Sequence, residues 1–253
     1  MIYEFIYNGK SSRDFGILIS ERPNVYGAPA ADVEAVSVPG RSGDLLFDNK
    51  RYENYEVEYQ CAVMAAFDEL PDKMRKIRNW LNADRGYNEL RDTYTQGYFR
   101  KAAFMSAIED STTKKLCEFS VRFNCCPFMF ADSGKSKIAV TAVKSTDTVT
   151  KIITNPESLA ARPIIHIKKY DTKAMSVTIS GIDESEYYKV IEITGGGELN
   201  IDTENQYCYD GNGQQANGKI STADVELPSG RFTVTAASSG EYELSIEPRW
   251  RTL

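Results

Sequence analysis

Apolar and polar residues alternate along most of this 253-residue chain with a period of two, which is typical of half-buried β-strands. In the first half the alternation predicts strands at residues 1–7, 33–38, 55–61, 88–91, 98–107 and 115–123. Asn8-Gly9 follows the first strand and predicts a hairpin turn. Phe15, Ile17 and Ile19 share one face of a further short extended segment at 12–19.

The stretch 38–63 combines a turn, a polar loop and a long strand, and it is the landmark of the first half. Pro39-Gly40 predicts the centre of a tight turn, because proline fixes φ and glycine tolerates positive φ. Gly43 follows three residues later, so Arg41 and Asp44 lie on a loop that presents charge outward. The strand behind this loop has an apolar face, and we expect it to be core scaffold.

The period changes to that of an α-helix between residues 67 and 83. Four apolar side chains recur there at spacings of four, three and four residues, which places them on one helical face: Leu70, Met74, Ile77 and Leu81. Pro71 suits the first turn, and Gly86 follows the last turn as a stop signal. We predict that this apolar face packs onto a sheet.

The second half has short alternating runs separated by turn signals, with no helical period. The runs lie at 163–170, 176–182, 189–193, 198–201, 206–209, 231–236 and 242–246, and their spacing predicts an antiparallel β-sandwich. Composition shifts to Ser, Thr, Lys and Ala between 131 and 150, so we predict two domains, 1–132 and 133–253. The predicted fold class is mainly β, with a β-rich α+β N-terminal domain that contains one helix.

Charge and hydropathy exclude several classes of partner. The net charge is −6 and the pI is about 5.1, whereas nucleic-acid binding depends on Lys and Arg at phosphates. The N-terminus lacks the cationic start and apolar run of a signal peptide, and no stretch approaches the roughly 18 apolar residues of a membrane span. We therefore expect no specific nucleic-acid binding, no membrane partner and assembly in the cytoplasm.

No combination of residues predicts catalysis, a cofactor or a metal site. The five cysteines include no Cys-x-x-Cys pair, and His166 is the one histidine, on a polar strand face with Lys168. Cys125 and Cys126 are adjacent on a strand and point to opposite faces, which favours small buried side chains in a reducing compartment. Pro127 follows them and predicts the end or the edge of that strand. The three glycines at 195–197 predict a hairpin connection.

Two acidic clusters are the candidates for carboxylate chemistry. One is Asp183, Glu184 and Glu186, and the other is Asp202 and Glu204. A glycosidase uses a carboxylate pair and calcium takes oxygen ligands, but neither cluster has a distinguishing spacing. Surface turns are the favoured interpretation of both.

Four tyrosines of the second half are the candidates for a binding surface. Tyrosine offers a large contact area with few rotors, so a set of tyrosines can dock a protein or stack on sugar rings. Filling of the sandwich edges explains them equally well. The four residues are Tyr187, Tyr188, Tyr207 and Tyr209.

A series of short motifs runs along the chain in a defined order. The first half has F-x-Y-N-G-K-S-S-R-D-F-G-I at 5–17, V-P-G-R-S-G-D-L at 38–45, I-R-N-W-L at 77–81 and F-x-V-R-F-N-C-C-P-F-M-F at 119–130. The second half adds N-P-E-S-L-A-A-R-P-I-I-H-I at 155–167, L-N-I-D at 199–202 and a terminal W-R-T-L. Together they resemble the distal tail (Dit) proteins of long non-contractile-tailed bacteriophages and related prophages, most specifically in residues 1–130.

The resemblance implies a non-enzymatic hub at the tail tip of a virion. Proteins of this family form a hexameric ring in which the N-terminal domain closes the ring and continues the tail tube. The C-terminal domain is a galectin-like β-sandwich on the outside, a platform for receptor-binding or other baseplate proteins. The tail-associated tip protein lies below the ring.

A ring gives the loop after Val38 a physical use. Its interfaces are heterologous, so a projecting edge of one subunit meets a different patch on its neighbour. We hypothesise that Arg41 and Asp44 lie at such a contact, with Tyr52 and Tyr55 behind them. Two other functions stay open: a carbohydrate-binding module that contacts host cell-wall glycan, and a cell-wall hydrolase, for which no carboxylate pair or histidine cluster stands out.

Overall fold

The computed structural model describes residues 3–113, 115–141, 144–182 and 187–253. The chain divides into two compact units, the first made of Met1–Met129 with Leu253 and the second of Phe130–Thr252. The predicted domain limits, 1–132 and 133–253, stay a prediction. Strands dominate both units, and the predicted fold class, mainly β with one α-helix in the N-terminal part, is confirmed for the described residues.

The first unit is built from a large sheet, a separate two-stranded sheet and one helix. Its elements are β1 (Phe5–Tyr7), β2 (Lys10–Ser11), β3 (Ile17–Ile19), β4 (Ala31–Val36), β5 (Leu45–Tyr52), β6 (Tyr55–Met64), α1 (Leu70–Leu81), β7 (Asn88–Asp92), β8 (Tyr98–Phe104), β9 (Asp110–Thr112) and β10 (Leu116–Ala131). The large sheet has the order β2-β1-β7-β8-β10-β6-β3, and β9 pairs with β10. Among the described residues, strands β4 and β5 pair only with each other.

Local sequence signals explain the first turns of the chain. Asn8 and Gly9 both adopt positive φ, at 48° and 72°, so the predicted hairpin turn between β1 and β2 is confirmed. The predicted extended segment at 12–19 is wrong in its first half, where residues Ser12–Phe15 form a 3-10 turn. Ser11 caps this turn and exchanges hydrogen bonds with Asp14, a local alternative that period-two counting does not detect.

Helix α1 covers the sheet with the face that the sequence predicts. Leu70, Met74, Ile77 and Leu81 are buried together with Trp80. The Trp80 ring stacks on Phe15 with centroids 4.3 Å apart, and its indole N–H donates to the Tyr7 carbonyl over 3.2 Å. The helix therefore packs onto β1 and its neighbours, as predicted.

The long pairing of β6 with β10 forms the centre of the first unit. Ten residue pairs run from Leu116 opposite Met64 to Cys125 opposite Tyr55. The sequence predicts that the strand ends or becomes an edge at Pro127, and β10 does not end there but continues to Ala131. Its pairing with β6 stops at Cys125, so this ladder does not require a donor from the proline nitrogen.

The second unit contains two antiparallel sheets, which confirms the predicted β-sandwich. Its strands are β11 (Ile138–Ala139), β12 (Val149–Asn155), β13 (Ile164–Lys169), β14 (Met175–Gly181), β15 (Tyr188–Ile193), β16 (Gly197–Asp202), β17 (Tyr207–Asp210), β18 (Gly230–Ser238), β19 (Tyr242–Glu247) and β20 (Arg251–Thr252). The five-stranded sheet has the order β11-β19-β13-β16-β17, and the four-stranded sheet has the order β12-β18-β14-β15.

The glycines at 195–197 connect these two sheets. Strand β15 belongs to the four-stranded sheet and β16 to the five-stranded sheet, so the predicted hairpin connection is wrong. Turn chemistry shows where a strand ends, whereas the partner of the next strand is decided by tertiary packing. No helix in the described part of the chain is long and apolar enough to cross a membrane.

Candidate interaction surfaces

The hairpin of β4 and β5, residues 31–52, is exposed along most of its length. Pairing runs from Val36 opposite Leu45 to Ala31 opposite Tyr52, and the loop between the strands carries Arg41 and Asp44, which are both exposed. Leu46 is 71% exposed and Phe47 is 54% exposed. Because adjacent residues of a strand point to opposite faces, this hairpin has an uncovered apolar side chain on each face.

The base of the hairpin is held in place by Tyr52 and Tyr55, and its tip, the loop between β4 and β5, is far from these residues. The Tyr52 ring meets Phe128 edge to face at 6.0 Å. The Tyr55 hydroxyl accepts a hydrogen bond from Arg100 Nε over 2.9 Å, and burial raises the pKa of Tyr55. Between Leu45 and Tyr52 a strand spans roughly 23 Å at about 3.3 Å per residue.

The four predicted contact residues are therefore not brought together. Arg41 and Asp44 lie at the tip of the hairpin, whereas Tyr52 and Tyr55 lie at its base. The tyrosines hold the hairpin in place from behind, and Tyr55 does so through the buried side chain of Arg100. Their role in a subunit contact stays a prediction.

A buried ion pair supports this base, and sequence reasoning missed it. Arg100 Nη1 lies 2.9 Å from Asp92 Oδ2, and both side chains are fully buried. Arg100 also donates to the Val25 carbonyl over 3.1 Å. The Tyr59 hydroxyl donates to Asp92 Oδ2 over 2.9 Å, and burial followed by the charge of Asp92 raises the pKa of Tyr59 well above its ordinary value.

A signal for this pair was present in the sequence. Arg100 shares its strand phase with Ala102 and Phe104, which are both buried, so the alternation alone places a guanidinium on the apolar face. A buried charge requires a partner, and that requirement indicates a carboxylate nearby in the fold. The sequence did not show that Asp92, at the end of β7, is this carboxylate.

The four candidate tyrosines divide between the two sheets of the second unit. Tyr187 and Tyr188 lie at the start of β15, where the Tyr187 hydroxyl accepts from the Glu226 amide over 2.7 Å. Tyr207 and Tyr209 lie on β17, the edge strand of the five-stranded sheet, with ring centroids 5.5 Å apart. The structure therefore forms two separate tyrosine pairs, and the role of each in docking stays a prediction.

The acidic cluster at Asp202 and Glu204 is neutralised by arginines near the end of the chain. Arg249 binds Asp202 through two nitrogens at 2.9 and 3.1 Å, and Arg251 lies 3.5 Å from Glu204. Burial would raise the pKa of Asp202, but hydrogen bonds from Arg249 and Asn205 hold it below its ordinary value. This cluster is thus structural, and Asp183, Glu184 and Glu186 lie outside the described residues.

The cysteines and acids form no metal centre in the part of the chain that the structure describes. Cys61, Cys117, Cys125 and Cys208 are buried free thiols, and Cys126 is half-buried on the opposite face of β10. Burial raises the pKa of Cys61 and of Cys125 to about 12. Thiols of this kind are unreactive packing groups.

Comparisons with known proteins agree with this architecture. Residues 1–126 match the family model of the phage tail protein N-terminal domain. The match covers 126 of the 253 residues, so this part of the chain is similar to a phage tail domain. No curated protein sequence matches the chain.

The particular fold is that of the Dit proteins. The Dit protein of phage SPP1, described as a paradigm of hub adsorption apparatus in phages that infect Gram-positive bacteria, is similar over 100% of both chains, with a TM-score of 0.73 and 10% identity. A chain of the phage P2 baseplate in its activated conformation with Ca has a TM-score of 0.48 and 9% identity over 97% of this chain and 98% of that one. A chain of the same baseplate with Sr has a TM-score of 0.45 and 8% identity over 94% of this chain and 99% of that one. The predicted resemblance to the distal tail proteins is confirmed.

Proposed function

We propose that the protein is the hub of a phage tail tip, a hexameric ring that joins the tail tube to the tip protein. In this proposal the first unit makes the ring, and the second unit displays a platform for receptor-binding or accessory baseplate proteins. Its place is the virion tail tip after assembly in the host cytoplasm, and its role is structural rather than enzymatic. The observation that carries the ring is the exposed hairpin, residues 31–52.

The hairpin needs a partner for three physical reasons. A two-stranded ribbon is only marginally stable in water. Its outer edges leave backbone N–H and C=O groups available to another chain. Leu46 and Phe47 are exposed on opposite faces, and burying each of them would contribute roughly 1.5–3 kcal/mol. A position between two neighbouring subunits covers both faces at once.

The charges at the hairpin tip fit the same proposal. Arg41 and Asp44 both lie on the loop between β4 and β5, so the tip offers one cation and one anion to a patch on the next subunit. A heterologous contact of this kind, repeated around an axis, closes a ring. The hairpin and its anchor at Tyr52 and Tyr55 would then set the angle between subunits.

Multi-angle light scattering on the purified full chain tests the ring. We expect a mass of six times 28.4 kDa, about 170 kDa. Leu46→Asp and Phe47→Asp, made separately, should each lower this mass, because each places a charge on one of the two covered faces. Arg41→Ala combined with Asp44→Ala should weaken the ring by removing the polar contacts of the tip.

A matched control separates interface loss from general damage. Ile152→Asp changes a side chain that is 55% exposed on β12 of the second unit, so it should leave the mass at the hexamer value. Tryptophan fluorescence should be the same in all variants, since the hairpin contains no tryptophan. A monomeric wild type, or hexamers that persist in both hairpin variants, would contradict the proposal.

A further inference from the structure

The outer face of the five-stranded sheet carries a row of polar side chains on neighbouring strands. His166 on β13 is paired with Asn200 on β16 and with Ser245 on β19. Asn200 is in turn paired with Tyr209 on β17. Directly opposite residues of antiparallel strands share one face, so these four side chains form a continuous row.

The row points away from the core. Ile165 and Ile167 flank His166 and are buried, as are the residues that flank Asn200 and Ser245 along their strands: Leu199, Ile201, Leu244 and Ile246. Because side chains alternate across a strand, the residues between them face outward. The polar row is therefore a surface that the sandwich core does not use.

An open groove of about 800 Å³ lies over this row. His166, Asn200 and Ser245 line it, and Lys168 and Glu198 form the next row along the strands. Lys168 Nζ lies 3.0 Å from Glu198 Oε1, so this pair presents a hydrogen-bond donor and an acceptor side by side. The groove is a binding surface with a defined arrangement of polar groups.

The side chains of the groove are held in place by hydrogen bonds. His166 Nδ1 lies 2.6 Å from Asn200 Oδ1, which makes the histidine the donor and commits the amide oxygen. The amide hydrogens of Asn200 are then left to a ligand. The Nδ1 bond makes His166 a positioning residue for Asn200, while His166 Nε2 is covered, lies 3.9 Å from Glu247 Oε2 and has no hydrogen-bond partner among the described residues.

Aromatic rings continue the row at the sheet edge. Tyr209 lies beside Asn200 in the register, and its ring is 5.5 Å from that of Tyr207, which is exposed. A saccharide has hydroxyl groups on its edge and C–H groups on its ring faces. Hydroxyl groups match Asn200, Lys168 and Glu198, and a C–H face matches the tyrosine rings.

The charge of the groove distinguishes a neutral saccharide from an anionic polymer. Three lysines line the groove, but Glu198 and Glu243 face them, and the Tyr170 hydroxyl donates to Glu243 over 2.7 Å. Lys168 already forms an ion pair with Glu198. A phosphate-rich ligand would meet these carboxylates, whereas neutral hydroxyl groups bond to both signs of charge.

We propose that the groove over β13, β16 and β19, bounded by Tyr207 and Tyr209, is a binding site for a neutral saccharide. This site is independent of the ring, because none of its residues belongs to the hairpin of the first unit. It would give the second unit a direct contact with a glycan surface.

A glycan array of neutral and anionic bacterial oligosaccharides, probed with the full chain, tests the site. We expect binding to at least one neutral oligosaccharide. Its Kd, measured by calorimetry, should rise at least tenfold in Asn200→Ala and in Tyr209→Ala. Tyr188→Ala is the matched control, because it removes an exposed tyrosine on the other sheet and should leave the Kd unchanged.

A measurement on the wild type locates the bound oligosaccharide even if a variant is destabilised. On adding the bound oligosaccharide to the wild type, backbone NMR shifts should move in β13, β16 and β17 and stay fixed in β15. The proposal is overturned by an array on which no neutral oligosaccharide binds, by binding to anionic polymers alone, or by shifts confined to other strands.

Discussion

Replacing Arg100 by alanine should destabilise the first unit far more than replacing any exposed arginine of the same sheet. The guanidinium of Arg100 is fully buried and donates four hydrogen bonds, to the Asp92 carboxylate, the hydroxyl groups of Tyr55 and Thr95, and the Val25 carbonyl. Alanine removes the cation and leaves a buried carboxylate without its counter-charge. The variant therefore loses the attraction between Arg100 and Asp92, but the cost of removing the Asp92 carboxylate from water remains.

The expected loss is about 3–5 kcal/mol, which is typical when one partner of a buried ion pair is removed. Asp92→Asn should be similarly damaging, because an amide nitrogen at Oδ2 would face two donors, Arg100 Nη1 and the Tyr59 hydroxyl. A loss of this size is a large part of the 5–15 kcal/mol that stabilises a typical domain.

Urea titration with a local probe measures this loss. The chain has two tryptophans, and Trp250→Phe leaves Trp80, which stacks on Phe15 in the first unit, as the reporter. In that background, Arg100→Ala should move the midpoint to much lower urea with little change in slope. Arg122→Ala is the matched control, because Arg122 pairs with Glu58 across the same sheet but is half exposed. Equal midpoints for the two variants would refute the reasoning.

Two further outcomes follow from the same core. Met74→Asp places a charge on the buried face of α1 and should lower the free energy of unfolding by more than about 3 kcal/mol in the same assay. Lys76→Asp, on the exposed face of α1, is the control and should have little effect. A Met74→Asp variant that stays folded would contradict the packing of α1 on the sheet. Burial raises the pKa of the Cys61 and Cys125 thiols from 9.0 to about 12. Between these pH values the unfolded chain binds fewer protons than the folded chain, so the free energy of unfolding falls as pH rises, by up to about 1.4 kcal/mol per pH unit for each thiol. Replacing both cysteines by alanine should flatten this fall in the urea midpoint, and an unchanged slope would count against it.

Local patterns predicted the elements of this chain well where one side of an element is buried. The alternation located the seven strands from β13 to β19, with limits that differ by one or two residues, and the apolar spacing located α1. Patterns failed where burial does not alternate. Strand β5 is exposed on both faces, so its residues carried no period-two signal, and the stretch 38–63 contains two strands rather than one.

The sequence by itself determined that the protein is mainly β, that one helix packs on a sheet, and that the motifs from 5–17 to 119–130 resemble those of phage tail proteins. These properties depend on neighbouring residues, because side-chain periodicity and turn chemistry act over a few positions. Only the tertiary structure decided that Arg100 meets Asp92, that the four tyrosines lie in two pairs, and that Tyr209, Asn200 and His166 share one surface row. Such contacts join residues far apart in the chain, so they depend on strand order and register, which a local pattern does not encode.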